Sequence, residues 1–154
     1  MSKTILITGA GTGIGKDTAF ALSLRGHRVL ATTQTEAQSL ALQQEASAKH
    51  LKLETFKLDI TSATDRALLM QHRIDVLINN AALGDSGSLA EVDMQRVRQL
   101  FEVNLFATLE LSQVALRQMI ERQSGTVLFI SSIAGRVPMP FLMPYSMTKF
   151  ALSA

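Results

Sequence analysis

Strand-like and helical segments alternate along this chain, and that alternation predicts an α/β fold built on a doubly wound parallel sheet. Two further observations agree. A glycine-rich turn, Gly9-Ala10-Gly11-Thr12-Gly13-Ile14-Gly15, joins the first strand-like run to the first helical one. Gly9, Asp59, Asn79 and Ser132 fall at or just past the ends of strand-like runs, where ligands bind in such sheets. With 154 residues the chain is long enough for a real core, and one domain over 1–154 is expected.

The elements follow in order. Lys3-Thr4-Ile5-Leu6-Ile7-Thr8 is short, apolar and β-branched, as a buried parallel strand requires, so a strand is placed at 3–8. After the glycine turn, Ala19, Leu22 and Leu24 mark an amphipathic helix at 14–25. A strand at 28–33 and a helix at 35–48 come next, then a strand at 51–58 and a helix at 62–71. A strand at 74–79 leads to the loop Gly84-Asp85-Ser86-Gly87-Ser88. A long helix is expected over 92–122, with a break around Val103-Asn104, followed by a strand at 125–131. The Pro- and Met-rich stretch 136–144 is either a wall beside an apolar substrate or a simple connecting loop. A last helix runs from 144 to the end.

Composition narrows the class. Hydrophobic content of 47% and charged content of 18% are ordinary for a soluble α/β protein. The net charge is only +2, and one Tyr, no Trp and no basic-aromatic cluster give no expectation of a nucleic-acid partner. Without cysteine there is no disulfide or thiolate metal site, and His27, His50 and His72 lie in different elements and form no ligand pair. No apolar run reaches membrane-spanning length and the N-terminus enters a strand directly, so no membrane partner and a cytoplasmic location are expected.

Two patterns carry chemistry. Tyr145, the single tyrosine, precedes Lys149 by one helical turn, so phenol and ammonium share a face. A free phenol titrates near about 10, and a held cation pulls it toward a range useful for proton exchange. The glycine turn lets the backbone approach a pyrophosphate, which the following helix meets with free N–H groups and its positive dipole end. Gly9, Gly13 and Gly15 set the spacing, and Gly11 is an extra glycine.

Thr8 to Gly15 resembles the cofactor motif of the classical short-chain dehydrogenase/reductase family. Further landmarks appear in family order. Asp59-Ile60-Thr61 resembles the segment after the third strand, and Asn79-Asn80-Ala81-Ala82 resembles Asn-Asn-Ala-Gly, with Ala82 in place of the last Gly. Asn104 in Val103-Asn104-Leu105 matches the family's asparagine, and Ser131-Ser132-Ile133-Ala134-Gly135 matches its serine segment. Ser132 lies thirteen residues before Tyr145, the family spacing, and is chosen over Ser131.

The resemblance spans the whole chain and implies a Rossmann-type fold and an oxidoreductase that moves hydride between NAD(P)(H) and a carbonyl or secondary alcohol. It implies Tyr145 as general acid/base, Lys149 as its electrostatic aid and ribose contact, Ser132 as the group that polarises the substrate oxygen, and Asn104 as the anchor of a water reaching Lys149. The cofactor contacts it implies are Thr8, Gly9, Gly11, Thr12, Gly13, Ile14, Gly15, Thr33, Gln34, Asp59, Ile60, Asn80, Ala81 and Ala82, with Tyr145 and Lys149. No metal is implied.

The end of the second strand bears on cofactor choice. Thr33 stands where NAD-preferring members carry Asp, and Gln34 where some NADP-preferring members carry Arg. Lacking the acid that would repel a 2′-phosphate, the chain is expected to prefer NADP while NAD remains open; Thr33 and Gln34 are the candidate phosphate contacts, and Lys16 is read first as a solvated first-turn residue, with a phosphate contact as its alternative. The interval between Asp59 and Asn79 is short for the family, so the third helix is expected to be trimmed. Family members continue past a position like Ala154 through further strands and a substrate loop. The sheet is therefore expected to be incomplete on its C-terminal side, with the strand near 126–130 as an apolar edge. A non-catalytic dinucleotide-binding fragment or inactive remnant stays open as the alternative to an active oxidoreductase. Homo-oligomerisation through the helices near 104–122 and 144–154 is what the resemblance implies for partners.

Overall fold

The computed structural model describes residues 2–154. Five strands form one sheet: β1 (Thr4–Ile7), β2 (Arg28–Thr33), β3 (Leu53–Lys57), β4 (Val76–Asn79) and β5 (Thr126–Phe129). Their order is β3-β2-β1-β4-β5, and every pairing is parallel. The chain winds outward from β1 to β3, then crosses back to place β4 on the other side of β1. That reversal leaves a crevice at the carboxyl ends of β1 and β4, the place where such sheets bind ligands.

Side chains alternate across the strands and split the core into two layers. Ile5, Ile7, Val29, Ala31, Val76 and Ile78 pack with Ala19 of α1 (Gly13–Leu24) and Leu42 and Ala46 of α2 (Glu36–Ala48). On the opposite face, Leu6, Leu30 and Leu77 pack with Leu111, Ala115 and Met119 of α5 (Thr108–Glu121). Burial on both faces explains why β1, β2 and β4 read as nearly continuous apolar runs.

The third helix, α3 (Ala63–Ala67), is five residues long and passes into a 3₁₀ turn, Leu68–Gln71. It is trimmed, as the short interval predicts. The expected break at Val103-Asn104 is instead a π-helical turn, Glu102–Ala107, that joins α4 (Met94–Phe101) to α5 without interruption. A wider turn absorbs an extra residue while keeping the backbone hydrogen-bonded. Thr108 supports it, its hydroxyl donating to the Val103 carbonyl at 3.1 Å. A second 3₁₀ turn, Ile133–Gly135, precedes α6 (Met143–Ser153). Strand β5 pairs with β4 alone and forms one edge of the sheet. Among the described residues, no helix is long and apolar enough to cross a membrane.

Candidate active site

A cleft of about 400 Å³ opens at the crevice between β1 and β4. Its floor is the glycine turn. Gly9 has φ of 65°, and a Cβ there would lie 2.8 Å from the Ala81 Cα, so the β1 turn can press against the β4 loop only as glycine. A Cβ on Gly15 would collide with the Gly9 carbonyl and the Asn80 side chain. Asn80 fastens the approach, its Nδ2 donating to the carbonyls of Thr8 at 2.9 Å and Gly9 at 3.1 Å.

Thr8 serves the same junction. Its buried Oγ1 accepts from the N–H groups of Asn80 at 3.1 Å and Ala81 at 3.0 Å. It therefore stands behind the cleft and is absent from its lining. Gly9, Gly11, Thr12, Gly13, Ile14, Gly15, Asn80, Ala81 and Ala82 all line the cleft. Ala82 is not among the positive-φ residues, so its departure from glycine brings no backbone strain.

A dinucleotide fits this cradle. Thr12, at the N-cap of α1, makes no side-chain cap bond, whereas Thr35, Ser62 and Asp93 cap α2, α3 and α4. The first N–H groups of α1 are thus left for an anion. Gly13, with φ of 53°, has open space where a Cβ would stand.

Leu58, Asp59, Ile60 and Thr61 form one end wall. Asp59 Oδ1 accepts from the Thr61 N–H at 3.0 Å and hydroxyl at 2.7 Å, which fixes the carboxylate and leaves its other oxygen free. Arg66 donates to the Ile60 carbonyl at 2.7 Å and pairs with Glu110, holding that wall against α5. Thr33 and Gln34 also line the cleft. Thr33 is buried, and its hydroxyl proton goes to the Thr35 carbonyl at 2.9 Å. Lys16, with a phosphate contact as its alternative reading, is paired with Glu45 of α2 at 2.9 Å. The cation is held by a carboxylate and is absent from the cleft lining.

The remaining candidates gather around α6. Asn104 is 1% exposed on the π turn. Its Oδ1 accepts from the Leu83 N–H at 2.7 Å, and its Nδ2 donates to the Leu83 carbonyl at 2.8 Å and Thr148 Oγ1 at 3.0 Å. Leu83 lines the cleft and Thr148 belongs to α6, so one amide ties the two together. Thr148 donates in turn to the Tyr145 carbonyl at 2.7 Å.

Lys149 Nζ donates to the Ile130 carbonyl at 2.8 Å and lies 5.8 Å from the centre of the Tyr145 ring. Burial pulls its ammonium below the usual lysine value. Ser132 caps the 3₁₀ turn, its Oγ accepting from the Ala134 N–H at 3.2 Å and keeping its own proton free. Ser131 is engaged elsewhere, with the Lys149 carbonyl at 3.3 Å and the Ser153 hydroxyl at 2.7 Å. Ser132, Tyr145, Lys149 and Asn104 are absent from the cleft lining, which Asn104 borders through its bonds to Leu83.

Reading the sequence missed Leu58, Thr61, Leu83, Val103 and Gln38 of this lining. Gln38 carried a signal: Thr35-Glu36-Ala37-Gln38 has capping-box spacing, which places Gln38 in the first turn of α2 beside the end of β2.

A parallel doubly wound sheet with a glycine cradle at its switch point defines a Rossmann-type nucleotide-binding protein. The family model described as short chain dehydrogenase matches residues 3–154, and the chain belongs to that family. Carbonyl reductase [NADPH] 2 of Sus scrofa is 37% identical over 96% of this chain and 60% of that protein. A diacetyl reductase [(S)-acetoin forming] of Staphylococcus epidermidis is 31% identical over 99% of this chain and 62% of that protein. Among solved structures, a gluconate 5-dehydrogenase from Burkholderia cenocepacia, in complex with NADP and tartrate, superposes with a TM-score of 0.89 at 26% identity. That match covers 99% of this chain and 62% of the other. The chain thus spans about three-fifths of the length of these proteins.

Proposed function

We propose that residues 1–154 act as one dinucleotide-binding domain carrying the machinery of an oxidoreductase that moves hydride between NADP(H), or NAD(H), and a carbonyl or secondary alcohol. The observation that carries this reading is the Asn104 amide, which joins the cleft wall at Leu83 to the helix bearing Tyr145 and Lys149. The names of a carbonyl reductase [NADPH] and a diacetyl reductase among the relatives support it.

The nicotinamide ring, when bound, supplies or accepts the hydride. The chain's residues do the rest. The glycine cradle and α1 receive the pyrophosphate, and Asp59 offers its free oxygen to the adenine. Ser132, anchored as an acceptor from Ala134, donates its proton to the substrate oxygen and polarises it. Tyr145 gives that oxygen a proton in reduction and takes one in oxidation. Lys149 places a positive charge 5.8 Å from the centre of the Tyr145 ring, beside the group that exchanges the proton. Both amide hydrogens of Asn104 are committed, so a water on the way to Lys149 is held by the remaining lone pair of Oδ1. NADP(H) is preferred because no acid stands at Thr33. Self-association uses the outer faces of α5 and α6.

The test has two parts. Saturable enhancement of NADPH fluorescence by the chain, lost when Gly15→Val fills the cleft, is the first result expected. NADPH oxidation over a panel of ketones and diketones then falls by roughly a hundredfold or more in Tyr145→Phe. Binding without Tyr145-dependent turnover would favour the second reading, a dinucleotide-binding protein that does not catalyse.

A further inference from the structure

We propose that Gln38 reads the 2′ position of the adenosine ribose, donating from Nε2 to a 2′-phosphate and tolerating a 2′-hydroxyl. The inference rests on the cleft being the dinucleotide site and names the side chain that sets its selectivity. In this architecture the 2′ position is met by a residue about 20 positions after the glycine turn, at the end of the second strand. Here that residue is Thr33, and its hydroxyl proton is committed to the Thr35 carbonyl. A 2′-phosphate needs donors, so the recognition must come from a neighbour.

Gln38 is that neighbour. It lines the cleft together with Thr33 and Gln34. A Cβ on Gly11 would lie 3.5 Å from Thr33 Cγ2, 3.8 Å from Gln38 Cβ and 4.0 Å from Gln38 Cδ, so both side chains stand over the glycine turn. The orientation of the amide is fixed by chemistry. The Thr35 N–H donates at 3.2 Å and demands an oxygen, so Oε1 faces Thr35 and Nε2 faces away. Among the described residues Nε2 has no protein acceptor, and both its hydrogens are unspent. The cations nearby are paired, Lys16 with Glu45 and Lys57 with Asp65, and neither lines the cleft. Among the described residues, Asp59 is the only charged side chain in the lining. Selectivity therefore rests on neutral amide donors, and wild type takes both cofactors with a modest preference for the phosphorylated one.

Gln38→Glu tests this with little disturbance. The carboxylate keeps the acceptor for the Thr35 N–H, so the capping box survives, while the free donor becomes an anion facing the 2′ position. NADPH and NADH are titrated by fluorescence into wild type and Gln38→Glu, with thermal melts alongside. For Gln38→Glu we expect the Kd for NADPH to rise roughly ten- to hundredfold while that for NADH stays within about threefold. An unchanged NADPH-to-NADH ratio in Gln38→Glu, or an equal loss of both cofactors, overturns the role of Gln38. Wild type binding neither cofactor would instead overturn the assignment of the cleft, and with it this inference.

Discussion

Lys149 is 3% exposed, its ammonium donates to the Ile130 carbonyl, and it meets no carboxylate among the described residues. Burial without a counter-charge disfavours the charged form and pulls its pKa below the ordinary 10.5. Between that lowered value and 10.5 the unfolded chain holds a proton that the folded chain has released, so stability rises with pH across this window. Below the window the full cost of burying the ammonium is present. Lys149→Met removes that cost. Its Tm advantage over wild type, or its smallest deficit, should therefore appear at neutral pH and move in favour of wild type as pH climbs toward 10.5. A Tm difference that stays flat with pH would mean that burial does not destabilise the ammonium. The Tyr145 and Lys149 pairing was legible from a four-residue spacing, because helical geometry fixes which side chains share a face. The partner of the ammonium was not legible, because Ile130 reaches it through a backbone carbonyl, and a carbonyl carries no sequence signal. Similarly, Ser131 and Ser132 are chemically identical in sequence. Family spacing favours Ser132, and the structure separates their surroundings: Ser131 bonds the Lys149 carbonyl and Ser153, while Ser132 accepts from the Ala134 N–H.

At the scale of elements, the junction of β1 with the loop after β4 decides whether the cleft exists. Thr8 Oγ1 accepts from two backbone N–H groups of that loop, and Asn80 returns bonds to the carbonyls of the glycine turn. Thr8→Val keeps the shape and deletes both acceptor interactions, leaving two donors short of a partner. A loss of about 2 kcal/mol in denaturant unfolding is expected, with weaker cofactor binding because the cradle loses its wall. Thr8→Ser, which restores the oxygen, should recover most of both. Recovery of neither would place the effect in the methyl group rather than the hydroxyl. The order of strands and helices was legible because glycine turns and apolar runs are local signals. The π turn was not. Its sequence, Glu102 to Ala107, contains no Pro or Gly to mark an irregularity, and the polar Asn104 inside an apolar run read as a break. The extra residue instead turns Asn104 inward to Leu83 and Thr148, contacts made across sequence separations that a local pattern cannot carry. Gln38 was hidden for the opposite reason: its capping-box spacing is a local signal, but one that speaks for the helix and not for the cleft it borders.

At the scale of the whole molecule, two of the exposed apolar surfaces among the described residues bear on assembly. One runs along α5 and the turn before it, where Phe106, Leu109, Leu116 and Ile120 share a face and are exposed, Ile120 by 70%. It is matched on α6 by Met143, Met147 and Phe150. The other is the free edge of β5, with Leu128 and Phe129 exposed and backbone groups unpaired on one side. These surfaces predict different assemblies. Face-to-face packing of α5 and α6 buries side chains, each worth about 1.5–3 kcal/mol when fully covered, and leaves the sheet edge as it is. Edge pairing extends the sheet through backbone bonds and depends little on α5. Sedimentation equilibrium at micromolar concentrations should find wild type associated. A Leu116→Lys/Ile120→Lys double variant should shift it toward monomer while retaining NADPH binding, because neither residue touches the cleft. A Leu128→Lys variant should leave the association unchanged. The reverse pattern, dissociation by Leu128→Lys alone, would assign the contact to the strand edge. Such an assembly would be open to further strands, so its mass would keep growing with concentration where a helix-faced dimer saturates.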